Sequence, residues 1–219
     1  MKLMRKTVGK TVADLIINLT IVCAEAYSLV VCFFSCGLKS FAYYTNLSNF
    51  LAFLASVVCS ACLMKTLFVG GKFPDFAVKL KFFAATSLAV TVGVVLFALF
   101  PILLFSSGFS TAASVKITIP SLLLHLVCPL LTFISFVFFE KVPLSFPLVI
   151  FAALPTLFYG LLMLFLNYLG AVSGPYPFFK VHSHPSLAAV CCPVIPLAAF
   201  LFALLFSLKS RPKTKKVHE

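Results

Sequence analysis

YYTNLSNFLAFLASVVCSACLM, residues Tyr43–Met64, runs for 22 residues without one charged side chain. As a helix rising about 1.5 Å per residue it is long enough to cross about 30 Å of hydrocarbon. Five more apolar runs lie at 12–36, 82–105, 119–139, 146–169 and 188–208. Helices meet their own backbone hydrogen-bonding needs in lipid, so each run predicts a spanning helix. β-branched residues such as Val57, Val58, Val94 and Val95 do not object, because lipid removes the competing structures. A barrel would require period-two alternation, which these runs lack. With 62% hydrophobic and 10% charged residues and a mean hydropathy of +1.15, the chain cannot cover a soluble domain's surface. The expected fold is therefore all-α, a polytopic bundle of six transmembrane helices forming one membrane domain over 1–219.

The placement of the +12 net charge orients that bundle. With the amino terminus in the cytoplasm, the inner segments hold Lys2, Arg5, Lys6 and Lys10, then Lys65, Lys72, Lys79 and Lys81, then Lys141, and finally Lys209, Arg211, Lys213, Lys215 and Lys216. The outer loops hold only Lys39, Lys116 and Lys180. Fourteen against three predicts both termini inside, in a multi-pass protein of the plasma membrane. The basic tail 209–219 has no interleaved aromatics, so anionic headgroups rather than nucleic acid are its expected partners. Lys2–Lys10, Leu15–Val22 and Ala24-Glu25-Ala26 resemble a signal peptide, yet the apolar run resumes at Tyr27 and reaches Phe34. An uncleaved first helix is expected. Of eight cysteines, seven fall inside spans and Cys36 lies at a span end, so Cys59 and Cys62 read as small packing residues rather than a redox pair.

Polar residues within the spans carry the functional signal. Asp14, Asn18 and Glu25 share one face of the first helix. Asp14 belongs at the cytoplasmic interface, within reach of solvent and Lys10. Glu25 lies about 16 Å from the outer end, where a carboxylate must be protonated, paired or wet. Thr45, Ser48, Asn49, Ala52, Ser56, Cys59 and Ser60 form a small polar stripe on the second helix. Such a stripe admits close helix packing; Asn46 and Asn49 add amides that packing does not require, as in a polar pocket near the outer surface. In His125-Leu-Val-Cys-Pro129 the proline cannot donate to the carbonyl of His125, which predicts a freed carbonyl and a kink beside the imidazole. Thr45 and His125 fall about 3 and 9 Å below the outer boundary on these limits. A lone membrane histidine is more often a packing residue than a reactive one. Tyr176 and Phe178, among the prolines of Pro175–Pro185, are expected at the interface, capping the bundle. His182 and His184 read as an exposed pair, two ligands without a partner being weak for metal.

Together FxYYTxxSN at Phe41–Asn49, HxxxPLL at His125–Leu131, PxxxY at Pro155–Tyr159 and PYPFF at Pro175–Phe179 resemble the androgen-induced six-helix membrane family. That family includes hydrolases of fatty-acid esters of hydroxy fatty acids and bacterial relatives. The resemblance implies Thr45 as nucleophile and His125 as its catalytic partner. The chain departs from the family in having no Trp, and in Lys180 where an acidic or amide residue is common. The chemistry is self-consistent: imidazole can take the threonine proton near neutral pH. Asn46, Asn49 or Tyr159 can donate to the oxyanion, and Glu25 can orient His125. The implied partners are membrane lipids and a lipid ester, with no cofactor and no metal. Two other functions fit the same residues: a small transporter or channel lined by Asp14, Asn18, Glu25 and His125, and a non-catalytic scaffold whose polar stripes only pack helices.

Overall fold

Each apolar run forms a helix in the computed structural model of the chain, which describes residues 2–101, 118–140 and 144–210, with side chains from 8 to 209. Among the described residues there is no strand, and six helices are long and apolar enough to cross a membrane. They are α1 (Lys2–Cys36), α2 (Tyr44–Phe68), α3 (Asp75–Leu99), α4 (Ile119–Phe139), α5 (Phe146–Tyr168) and α6 (Pro185–Ser210). The protein is thus an all-α, multi-pass membrane bundle. Residues 102–105 of the third run, Lys116, Lys141 and the tail beyond Ser210 lie outside the described residues, as do the side chains of Lys2, Arg5 and Lys6.

Local chemistry sets the helix limits. Gly37, at φ 59°, takes the left-handed conformation that ends α1, and a 3-10 turn over Gly37–Ala42 leads into α2. Thr118 caps α4 by accepting the Ser121 N–H at 3.3 Å, with Pro120 in the first turn where its missing N–H costs nothing. α3 lies at the centre, packed on α2, α4, α5 and α6, while α1 packs on α2 and α4. Alanines let α2 and α3 approach: Ala52 and Ala55 meet Ala84 and Leu88. Phe82 and Phe136 join α3 to α4 in the half nearer the termini, with ring centroids 5.8 Å apart. Phe34, Phe68 and Phe158 point outward, as lipid-facing side chains do.

α1 begins at Lys2 rather than at residue 12, and α6 at Pro185 rather than at 188. α3 begins at Asp75 rather than at residue 82, so Lys79 and Lys81 are helical and not in a loop. Lys81 is 1% exposed. Its Nζ donates to Asp14 Oδ1 at 3.2 Å and to Glu140 Oε1 at 3.1 Å. Asp14 also accepts from Ser135 Oγ and, at 3.0 Å, from Asn18 Nδ2. Asp14 is accordingly a buried ion-pair partner rather than a solvated interfacial acid, because Lys81 and Glu140 arrive from helices distant in sequence.

Candidate active site

The half of the bundle away from the termini is organised by Pro129. Around His125 the helix widens into a π-turn over Leu123–Val127, in which the Cys128 N–H donates to the Leu123 carbonyl. Leu124 then receives neither the Cys128 N–H nor one from Pro129, which has none. Its orphaned carbonyl is taken by Asn49 of α2, whose Nδ2 donates to it at 3.1 Å. The same amide donates to the Thr45 carbonyl at 2.7 Å. One side chain therefore ties the backbone of Thr45 to the residue preceding His125. The proline is absorbed as a wide turn, and the released carbonyl that finds a partner is that of Leu124. Both Asn49 amide hydrogens are engaged, so it supports the site and has no donor left for an oxyanion.

His125 is held by its own helix. Its Nδ1 lies 2.8 Å from the Ser121 carbonyl, which can only accept. Nδ1 therefore carries the proton, and the neutral ring presents Nε2 as a free acceptor. This is the orientation that a base requires, fixed by a backbone carbonyl.

Thr45 sits at the first turn of α2 in a small chamber. Its Oγ1 is 3.2 Å from the Tyr176 hydroxyl, which also accepts the Thr45 N–H at 3.3 Å. No hydrogen bond joins Thr45 to His125. The chamber has a volume of about 30 Å³, and Tyr44, Thr91, Tyr159 and Tyr176 share its wall with Thr45. That is room for water. Tyr159 donates its proton to the Ala42 carbonyl at 2.6 Å. Asn46 Nδ2 donates to the Ser40 carbonyl at 2.8 Å and borders a separate crevice between α1 and α2. Glu25 makes no hydrogen bond to His125; Cys128 is set against it from α4. Beside the chamber, an apolar groove of about 330 Å³ runs between α3 and α6, with Val90, Val94 and Ile195 lining both.

Tyr176 is the site residue that sequence reasoning missed. The loop before α6 folds inward, so that Tyr176, Phe178 and Phe179 are buried in a cluster with Tyr44 and Tyr159. Gly174 makes this possible, at φ 74°, where a Cβ would stand 3.2 Å from the Phe179 backbone. Asn167 pins the loop, donating to the Val172 carbonyl at 2.9 Å and accepting the Val181 N–H at 3.0 Å. Burial pushes the Tyr176 phenol above its ordinary value, against the pull of its hydrogen bonds with Thr45, so it stays a neutral donor. The signal was Tyr176 between Pro175 and Pro177, a rigid aromatic turn. His182 and His184 are exposed, His182 with Nε2 3.3 Å from the Tyr168 carbonyl. All eight cysteines are free thiols. Compared with family models, curated proteins and solved structures, the chain finds no match in any of the three.

Proposed function

We propose that this membrane protein hydrolyses lipid esters, with Thr45 as nucleophile and His125 as its base, as its resemblance to the androgen-induced family implies. The observation that carries the proposal is the Asn49 bridge, which couples the Thr45 carbonyl to the carbonyl of Leu124. The free Nε2 of His125 supports the same chemistry.

The Thr45 hydroxyl lies against that of Tyr176. On this reading, ester binding frees the Thr45 hydroxyl from Tyr176 for Nε2. Nε2 takes the hydroxyl proton as Oγ1 adds to the ester carbonyl. The Tyr176 hydroxyl, released from Thr45, donates to the oxyanion. Collapse expels the alcohol, which leaves with the proton from the imidazolium, and a water activated by Nε2 then cleaves the acyl-threonine. The acyl chain occupies the α3–α6 groove, which meets the chamber at Val90, Val94 and Ile195.

The test is covalent labelling of the purified full-length protein by a long-chain fluorophosphonate. The expected result is one adduct, mapped to Thr45 by mass spectrometry and absent in Thr45→Ala and His125→Ala. An adduct elsewhere, or equal labelling of the folded variants, overturns the proposal.

A further inference from the structure

Glu25 is the buried acid this mechanism leaves unused. It is 0% exposed, and no nitrogen or oxygen donor meets its carboxyl. The titratable group set against it is the Cys128 thiol of α4, and no cation is recorded beside it from α1, α2 or α4. Lys81 is committed to Asp14 and Glu140. An unpaired carboxylate in such a place carries a desolvation penalty that nothing offsets, so the stable form is the neutral acid.

A neutral acid in the core needs a route for its proton, and the antiparallel register of α1 and α4 supplies one. Asn18 Nδ2 donates to Ser135 Oγ at 3.3 Å, and Glu25 faces Cys128. Between these contacts each helix advances by seven residues, so the register sets Ile21 beside Thr132. Along this seam Asn18 Oδ1, Thr132 Oγ1 and Ser28 Oγ are buried and unpartnered. Buried polar atoms of this kind are met by internal water. Ile21, fully buried, is the one apolar step on the α1 side, and the Thr132 hydroxyl lies across from it. At the far end, a cavity of about 260 Å³ is bounded by Asp14, Glu140, Phe73 and exposed Lys10.

We infer that Glu25 is a proton-binding carboxyl in the bundle core, served from the Asp14–Lys81–Glu140 end through a hydrated seam at Asn18 and Thr132. The ligand is a proton, and the inference stands whether or not Thr45 is a nucleophile.

Infrared spectroscopy of the full-length protein in lipid tests it. At neutral pH the expected spectrum holds a protonated-carboxyl C=O band that Glu25→Gln removes and that shifts on transfer to D2O. Thr132→Val should keep the band and slow its shift at least about tenfold. Absence of a Glu25-dependent band overturns the proton site. A band abolished by sodium chloride at fixed pH also overturns it, making Glu25 a metal-ion ligand. A shift unaffected by Thr132→Val overturns the seam. Should Glu25→Gln fail to fold, dicyclohexylcarbodiimide labelling of the wild type, mapped by mass spectrometry, gives the same decision: a Glu25 adduct that weakens as pH rises supports the site, and an unmodified Glu25 refutes it.

Discussion

Replacing Lys81 by Met distinguishes a buried ion-pair network from the solvated lysine that hydropathy alone suggests. In the structure, Lys81 Nζ reaches Asp14 at 3.2 Å and Glu140 at 3.1 Å, with all three side chains almost wholly buried. Burial pushes the Glu140 carboxyl above its ordinary range, against the pull of Lys81, so the ammonium is what keeps this pair of acids tolerable. Removing one partner of a buried pair typically costs about 3–5 kcal/mol. Each kcal/mol moves the melting temperature of a domain of this size by about 2–4 °C, giving a fall of roughly 6–20 °C. A thiol-reactive dye suits the assay, since the chain has no Trp but eight free cysteines, two of them fully buried. The triple change Asp14→Asn, Lys81→Met, Glu140→Gln should recover most of the loss, because it leaves no orphaned charge. If Lys81 were a solvated loop residue, the single change would alter stability by no more than about 0.5 kcal/mol, or about 2 °C. A Lys81→Met melt within that interval refutes the buried network.

Asn49→Leu removes the donor to two backbone carbonyls and leaves that of Leu124 buried without a partner. The expected loss is about 1–3 kcal/mol in thermal stability, with fluorophosphonate labelling falling further than that loss alone explains. Gly174→Ala and Gly170→Ala share a positive φ, but only at 174 does a Cβ meet backbone, at 3.2 Å. Gly174→Ala should therefore cost more, about 1–3 kcal/mol, and reduce activity by displacing Tyr176, whereas Gly170→Ala should leave activity intact. Tyr176→Phe keeps the ring and deletes the donor, so ester turnover should drop about 10²-fold or more while the melting point barely moves. Because burial raises the Tyr176 phenol, the stabilisation from keeping it neutral is whole below about pH 10 and is lost as pH climbs toward the folded-state value. Turnover should show no tyrosine-linked decline below that pH, and a decline already at pH 8 in the wild type but not in Tyr176→Phe would contradict this.

Hydropathy located the spans because the constraint is local: a helix in lipid must be apolar along its own length. The fourth span matched at both ends, 119 to 139. The third did not, since Lys79 and Lys81 look like loop residues until Asp14 and Glu140, from α1 and the end of α4, neutralise Lys81. No window of sequence contains that pairing. Pro129 announced a disturbed helix at His125, but whether it kinks or widens depends on who takes the released carbonyl, and Asn49 is 75 residues away. Tyr176 carried an interfacial pattern and became a buried partner of Thr45, because Gly174 and Asn167 fold the loop inward. Glu25 was legible as costly from its depth alone. That a thiol, Cys128, and no cation would meet it was not.

The central claim is that Thr45 and His125 act as one catalytic pair on a lipid ester. The most direct measurement is hydrolysis of a long-chain ester of a hydroxy fatty acid by the full-length protein in liposomes, with Thr45→Ala, Thr45→Ser and His125→Ala run in parallel. The account predicts turnover by the wild type, retention of part of it by Thr45→Ser, and loss in both alanine variants. Undiminished turnover by a folded Thr45→Ala or His125→Ala protein, or none by the wild type, would contradict it.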